Sequence, residues 1–288
     1  MNTAGAKPLV WVTGAAGLIG HELVQLVPAM VPEFEVVGLT RRDLDLTDFA
    51  EVKRLFAQSQ PQAVIHCAAM SRSPECQAQP KLAYLTNVDA TAHLAELSKD
   101  IPFFFFSTDL VFDGKKGNYE EGDKPNPLSV YAETKVAAEK VVLENLNHTV
   151  IRTSLNAGKS LARDRSFVEE MLNAWREGKS LKLFVDEYRS PIAAEITAKA
   201  VWELFRNKGA GLFHLAGCER LSRYQIGEIL SSQFLELHPK FEAASLRDYK
   251  GAPRSPDTSL NCDKLQKILS FPLPRFSDWV EANSSKLK

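Results

Sequence analysis

The stretch LVWVTGAAGLIG, residues 9–20, decides the fold of this chain. It opens on a short apolar run, which is typical of a strand buried on both faces of a parallel sheet. Gly14, Gly17 and Gly20 follow where such a strand turns into a helix. These glycines permit a tight turn and a close approach of backbone N–H groups to a pyrophosphate. Because an amphipathic run around Leu23 comes next, the motif predicts a bound dinucleotide rather than a bare glycine-rich loop.

The composition of the 288 residues is that of an ordinary globular protein, with 44% hydrophobic and 25% charged residues. Lys and Arg number 35 against 36 Asp and Glu, and this balance predicts neither a nucleic-acid surface nor a polybasic membrane patch. No apolar run approaches the roughly 18 residues of a membrane span. The four cysteines have no metal-binding spacing, so we expect no disulfide, no metal site and a cytoplasmic location.

Strand-like and helix-like segments alternate through the first half of the chain. Strands are expected at 9–12, 34–39, 63–67, 101–107 and 149–152, and helices at 48–58, 80–98 and 129–145. This alternation predicts an α/β fold of the Rossmann type, with a doubly wound parallel sheet. Ligands of such sheets bind outside the carboxyl ends of the strands. The segment 109–128 is rich in Gly, Pro and charge, and we expect a lid or a surface loop there.

The end of the second strand, where a Rossmann fold meets the adenosine ribose, carries Arg41 and Arg42. Arginine at this point, about 20 residues past the glycines, accommodates the 2′-phosphate of NADP, whereas Asp or Glu binds the ribose hydroxyl of NAD. The two arginines favour NADP(H), while Asp43 and Asp45 close by leave NAD(H) open. Two solvated loop arginines are the alternative interpretation.

The pattern changes beyond Arg152. Helices are expected at 167–175, 194–205 and 224–234, and strands at 181–185 and 211–215, separated by proline-punctuated segments. We interpret this half as a smaller C-terminal substrate domain, interleaved with the last elements of the large sheet. The predicted NADP(H)-binding Rossmann domain comprises residues 1–153 plus about 193–216, and the substrate-binding domain about 154–192 plus 217–288.

Tyr131 and Lys135 lie four residues apart on the helix predicted at 129–145, so both project from the same face. A lysine cation nearby favours phenolate and is expected to lower the phenol pKa from its usual value of about 10. Tyr131 is then placed to give a proton to a carbonyl oxygen as hydride reaches the carbon. Thr108, at the end of the fourth strand, is placed to hydrogen-bond the same oxygen.

Several segments of the chain together resemble the extended short-chain dehydrogenase/reductase family. They are TGAAGLIG (13–20), CAA (67–69), STDLVFDG (107–114), PLSVYAETKVAAE (127–139) and IRTS (151–154). STDLVFDG, DEYRSPIAAEITAKAV (186–201) and GLFHLAG (211–217) resemble, more narrowly, the dTDP-4-dehydrorhamnose reductases. That resemblance implies NADPH-dependent reduction of the 4-keto group of a nucleotide-linked deoxysugar, catalysed by Thr108, Tyr131 and Lys135.

The resemblance also implies which residues form the site. Cofactor contacts are expected from Gly14, Ala16, Gly17, Leu18, Ile19, Arg41, Arg42, Asp45, Leu46, Ala68, Ala69, Met70, Ser107, Tyr131 and Lys135. Substrate contacts are expected from Asp109, Leu155, Asn156, Arg189 and Arg254, the arginines because a bidentate guanidinium suits an anionic diphosphate. Asn87 matches a family asparagine near the site.

Departures from the family pattern leave alternatives open. Ser154-Leu155-Asn156-Ala157 stands where the reductase subgroup usually has Ser-Trp-Val-Tyr, so the floor of the sugar site differs. A 4-epimerase or a 4,6-dehydratase on the same scaffold is the second hypothesis. Leu110 disfavours the dehydratase, which needs an acid–base pair beside the catalytic threonine. A non-catalytic NADP-binding regulatory subunit, the role that some relatives serve for a methionine adenosyltransferase, is the third, and a homodimer is compatible with all of them.

Overall fold

The computed structural model describes residues 7–287 except 163, 165 and 252, so the ends of the expected domains at 1–6 and 288 lie outside it. The strands of the described part are β1 (Leu9–Thr13), β2 (Glu35–Leu39), β3 (Ala63–His66), β4 (Phe103–Thr108), β5 (Thr149–Thr153), β6 (Asn156–Ala157), β7 (Ser180–Phe184), β8 (Tyr188–Arg189), β9 (Ile192–Ala193), β10 (Gly211–Leu215), β11 (Leu221–Ser222) and β12 (Lys240–Ala244). Its helices are α1 (Leu18–Gln25), α2 (Val27–Met30), α3 (Phe49–Ser59), α4 (Ser73–Ala78), α5 (Pro80–Tyr84), α6 (Ala90–Leu97), α7 (Val130–Val142), α8 (Phe167–Arg176), α9 (Ala194–Arg206), α10 (Arg223–Gln233), α11 (Asp263–Gln266) and α12 (Phe276–Leu287).

The predicted doubly wound α/β sheet is confirmed. Six parallel strands lie in the order β10-β5-β4-β3-β1-β2. The chain moves outward in one direction from β1 to β2 and in the other direction from β3 onward. The carboxyl ends of β1 and β3 therefore flank the switch point, outside which open α/β sheets bind their ligands.

The four consecutive phenylalanines of β4 show why this sheet is buried on both faces. Phe104 and Phe106 join an apolar cluster on one face, together with Val10 and Trp202. Phe103 and Phe105 alternate with them and join a second cluster on the opposite face. Since the side chains of a strand alternate between faces, a strand covered on both sides needs an unbroken apolar run.

The helix expected at 80–98 is interrupted. Between α5 and α6 the residues Leu85–Asp89 form a π-helical turn, and Asn87 within it is buried. Such turns insert an extra residue into a helix and often occur at functional sites. The periodicity of the apolar residues did not predict this interruption.

The C-terminal half builds an apolar cluster of its own around α8, α10 and α12, which we call the C-terminal core. It also contains the parallel ladder between β7 and β12, of which only β7 was expected. The polar segment 109–128 is anchored rather than loose: Phe112 is fully buried and its ring stacks on that of Tyr119 at 4.0 Å. None of the described helices has both the length and the apolar character needed to cross a bilayer.

Candidate active site

The glycine motif forms the turn between β1 and α1, and its geometry requires glycine. Gly14 has φ +70°, and a Cβ there would lie 2.6 Å from the Ala68 nitrogen. A Cβ on Gly20 would lie 2.4 Å from the Gly14 carbonyl oxygen. Helix α1 begins at Leu18 with no side chain capping it. Its first N–H groups and the positive end of its dipole are therefore available to an anion.

A cleft of about 840 Å³ opens at this turn, along the carboxyl ends of the parallel strands. This volume suits a ligand of cofactor size. Most of the expected site residues line it: Gly14, Ala16, Gly17, Leu18, Ile19, Arg41, Asp45, Leu46, Ala68, Ala69, Met70, Ser107, Thr108, Tyr131, Lys135, Leu155 and Asn156. Arg42, Asp109, Arg189 and Arg254 are not among its lining residues.

The rim of the cleft beyond β2 presents one prominent cation. The side chain of Arg41 is 85% exposed and approaches Asp45 only to 3.7 Å. Asp43 is engaged within its own turn, where it accepts hydrogen bonds from the Thr40 amide at 2.8 Å and the Thr40 hydroxyl at 2.7 Å. These bonds lower the pKa of Asp43. Arg41 is consequently the group at this rim best placed to meet a phosphate.

Helix α7 carries the Tyr131 side chain into the cleft. Its N-terminus is capped as expected, since the Ser129 hydroxyl accepts from the Ala132 amide at 3.3 Å. The pKa of Tyr131 is raised, first by burial and then by the negative charge of Asp109, while a hydrogen bond with Thr108 opposes the shift. The sequence-based expectation of a lowered phenol pKa is therefore wrong for the ligand-free protein. Desolvation outweighs the help expected from the neighbouring lysine.

Lys135 is only 2% exposed, and its Nζ lies 4.0 Å from the centroid of the Phe105 ring. Burial lowers the pKa of Lys135 to about 7, and the Glu139 carboxylate opposes that shift. The ammonium is thus poised near neutrality, where a nearby anion decides whether it holds its proton.

A buried ion pair behind the cleft joins α7 to the sheet. Arg152 on β5 donates from Nε and Nη2 to Glu139 at 2.9 and 2.7 Å, and the Ser107 hydroxyl of β4 bonds the same carboxylate. This cluster fixes the register of α7 against β4, and hence Tyr131 against Thr108. Sequence reasoning missed it, although Glu139 follows Lys135 by one helical turn and so shares its face.

The expected substrate residues fall into two groups. Leu155 and Asn156 line the cleft, and Asn156 is pinned by the Thr197 hydroxyl at 2.7 Å. Asp109 and Arg189, by contrast, are 4% and 5% exposed. They lie in an internal network in which Asp109 accepts from Ser154 at 2.8 Å and from Thr258 at 2.9 Å.

Three arginines surround a single buried glutamate near the C-terminal core. Glu187 accepts from Arg254 Nε at 2.6 Å and from Arg189 Nη2 at 3.1 Å. The Arg223 guanidinium lies 5.6 Å from the centroid of Phe167, a cleft-lining ring, and pairs with no carboxylate of the described residues. Burial lowers the pKa of Arg223, the Glu187 charge opposes that shift, and the charges of Arg189 and Arg254 add to it. Nothing in the sequence had singled this residue out.

The cysteines and acidic residues do not form a metal centre in the described part of the chain, where no group of three or more metal-ligating side chains comes together. All four cysteines are free thiols.

A glycine turn at the switch point of a doubly wound sheet, facing a Tyr–Lys pair on a later helix, defines an extended short-chain dehydrogenase/reductase. Within that class the chain belongs to the family described as RmlD substrate binding domain, whose model matches residues 9–288.

Curated relatives and solved structures agree with that family. The chain is 30% identical over 223 residues to a dTDP-4-keto-6-deoxy-D-glucose reductase of Streptomyces niveus, covering 76% of each chain. It is 30% identical over 284 residues to methionine adenosyltransferase 2 subunit beta of Pongo abelii, covering 90% of this chain and 82% of the relative. The crystal structure of a hypothetical dTDP-4-dehydrorhamnose reductase from Sulfolobus tokodaii superposes with a TM-score of 0.84 at 31% identity, covering 93% and 98% of the two chains.

Proposed function

We propose that this protein is an NADPH-dependent reductase of the 4-keto group of a nucleotide-linked deoxysugar. The observation that carries the proposal is the single cleft that brings the glycine turn, Arg41, Thr108, Tyr131 and Lys135 together. The reductase relative and the family membership support the same reaction class.

The residues of the cleft suit NADPH. The glycine turn and the uncapped start of α1 would hold its pyrophosphate, and Arg41 its 2′-phosphate. When bound, NADPH supplies a hydride to the carbonyl carbon of the substrate. Lys135 would bind cofactor hydroxyls, and its proton would be favoured by the cofactor's negative charge.

The protein's own contribution is a proton and its placement. Reduction of a ketone requires one hydride and one proton, and the raised pKa of Tyr131 keeps its phenol protonated and able to donate. The Thr108 hydroxyl would hold the carbonyl oxygen beside that phenol. As the C–O bond becomes an alcohol, Tyr131 would be left as a phenolate, which the Lys135 ammonium would stabilise.

The anionic part of the substrate is assigned to the arginine cluster. Arg189 and Arg254 already donate hydrogen bonds to Glu187, whereas Arg223 forms no ion pair with a carboxylate in the described part of the chain. Arg223, beside Phe167 at the edge of the cleft, would therefore contact the diphosphate, with Arg254 behind it. Leu155 and Asn156 would meet the sugar.

The proposed division of labour is the one that the sequence predicts: residues 1–153 plus about 193–216 would bind the cofactor, and about 154–192 plus 217–288 the substrate. We place the protein in the cytoplasm, acting on a small molecule without a nucleic-acid or membrane partner. A homodimer is compatible with this assignment.

The decisive experiment measures oxidation of NADPH and of NADH with a panel of nucleotide-linked 4-keto-6-deoxysugars. We expect sugar-dependent oxidation, faster with NADPH. Tyr131→Phe should still bind NADPH but turn over at least about 100-fold more slowly, the contribution of one general acid. Tyr84→Phe, at a tyrosine that is 41% exposed, is the matched control and should behave as wild type. Undiminished turnover in Tyr131→Phe would exclude the mechanism.

A non-catalytic NADP-binding regulatory subunit is the second candidate. The observation that favours it is the likeness to methionine adenosyltransferase 2 subunit beta over 90% of the chain. Both functions use the same cofactor cleft, so cofactor binding does not separate them. Steady NADPH oxidation by any member of the sugar panel excludes the regulatory role, and binding without oxidation by every member supports it.

A further inference from the structure

His66, the last residue of β3, occupies a central place between the cleft and the sheet. It is 1% exposed, and its ring packs against those of Phe103 and Phe105 on β4, with 5.9 Å between the centroids in each case. Both ring nitrogens are bonded: Nδ1 to the Thr13 hydroxyl at 2.7 Å and Nε2 to the Thr91 hydroxyl at 3.0 Å. The ring therefore connects β1, which ends in the glycine turn, to helix α6.

The neighbours of His66 determine which nitrogen carries the proton. The Thr91 hydroxyl donates to the Asn87 carbonyl at 2.8 Å, so its oxygen accepts from Nε2–H of His66. Burial lowers the pKa of His66 to about 3, so the ring is neutral and Nδ1 is an acceptor. The Thr13 hydroxyl must then donate to Nδ1. Its oxygen remains free to accept from the Ala68 amide, 3.5 Å away.

The same set of hydrogen bonds continues from Asn87 to the catalytic helix. Asn87 Oδ1 accepts from the Met70 amide at 2.8 Å, and its Nδ2 donates to the Thr134 hydroxyl at 3.0 Å. Thr134 in turn donates to the Tyr131 carbonyl at 2.7 Å. Each hydroxyl in the series thus donates once and accepts once, and no donor faces a donor.

We propose that His66 is a positioning residue that holds the two walls of the cleft together, the glycine turn through Thr13 and the Tyr131 helix through Thr91 and Asn87. The inference rests on the proposed function only in taking NADPH as the ligand. We call the Thr13–His66 and His66–Thr91 hydrogen bonds the two arms of this connection, and they predict different kinetic effects. Loss of the Thr13 arm loosens the glycine turn that would bind the cofactor. Loss of the Thr91 arm displaces the proton donor Tyr131.

Isosteric variants separate the arms. Thr13→Val should raise the Kd of NADPH by roughly tenfold, equivalent to one buried hydrogen bond, with little change in kcat at saturating cofactor. Thr91→Val should lower kcat more than it weakens NADPH. Thr149→Val is the matched control, because Thr149 is as buried as Thr13 and its hydroxyl donates to the Gly209 carbonyl at 2.7 Å, at the opposite end of the sheet. It should lower the melting temperature similarly while leaving Kd and kcat unchanged.

The conservative variant gives a further readout. His66→Asn keeps an acceptor near the Nδ1 position, so its NADPH affinity should stay closer to wild type than that of His66→Leu. Equal loss in both variants, or a Thr13→Val protein that binds NADPH as wild type does, would overturn the inference.

Amide hydrogen exchange in the ligand-free protein tests the inference without any cofactor. Thr13→Val should accelerate exchange in the segment 14–18 and at Ala68, and Thr149→Val should not. Failure of the wild-type protein to bind NADPH or NADH would refute the proposed function alone, and the exchange comparison would still decide the role of His66: unchanged exchange in Thr13→Val contradicts it.

Discussion

Replacing Glu139 with glutamine tests whether the buried ion pair holds the catalytic helix on the sheet. The side chains of Arg152 and Glu139 are 3% and 4% exposed. Glutamine preserves size and one acceptor, but it leaves the Arg152 charge buried with no counter-ion among the described residues. Two other contacts of Arg152, His214 Nε2 at 3.4 Å and the Phe112 ring at 5.0 Å, carry no negative charge. Breaking one side of a buried pair costs about 3–5 kcal/mol.

Such a loss is a large share of the roughly 5–15 kcal/mol by which folded domains are stable. Urea denaturation followed by circular dichroism should show a lower midpoint with an unchanged slope. Glu51→Gln, which breaks the exposed pair with Arg54, is the control and should leave the midpoint unchanged. The double variant Glu139→Leu, Arg152→Met should recover much of the loss, because it buries no charge. A Glu139→Gln midpoint equal to that of wild type would refute this account of the helix.

Three further predictions concern charge in and around the cleft. Because burial lowers the pKa of Lys135 to about 7, binding of anionic NADPH should take up a proton. The affinity for NADPH, measured by fluorescence titration, should therefore fall as the pH rises from about 7 to 9. An equally steep fall in Lys135→Met would contradict this explanation. The pKa of Lys135 is about 7 in the folded protein and 10.5 in the unfolded chain, so between these pH values the unfolded chain binds more protons and is favoured. Lys135→Met removes this effect. Its melting temperature should therefore exceed that of wild type at pH 7, and the difference should vanish as the pH approaches 10.5. Arg223→Gln should weaken binding of a nucleoside diphosphate, measured by calorimetry, by roughly tenfold. Arg247→Gln, at an exposed arginine, is the control and should bind it as wild type does. If the two variants bind the nucleoside diphosphate equally well, Arg223 does not belong to the site.

The elements that sequence reasoning located are those with local causes. The turn after β1 is defined by three glycines within one short stretch, and α7 by the Ser129 cap followed by an apolar face. The strand at 211–215 appears at the expected residues because an apolar run ends at Gly217. In each case the residues that determine the structure are neighbours in the chain.

The features that it missed depend on residues far apart in the sequence. Strand β12 pairs with β7 some way earlier in the chain, and its exposed, polar face gave no apolar pattern. Phe112 and Tyr119 lie in a segment whose composition is that of a loop, yet they are buried against Leu260. The Arg152–Glu139 pair and the position of Arg223 near the cleft likewise depend on tertiary contacts, which periodicity and motif spacing do not encode.

The pKa of Tyr131 changes the chemical argument most. A Tyr–Lys spacing suggests a ready phenolate, but burial drives both groups toward their neutral forms, raising the pKa of Tyr131 and lowering that of Lys135. For a reductase this is an advantage, because a protonated phenol is the form that donates. With a pKa of about 7, Lys135 takes up its proton when anionic NADPH binds, so the ammonium is in place before the reaction. Once Tyr131 has donated, its new phenolate lies near that ammonium, and the two opposite charges stabilise each other as the alcohol forms.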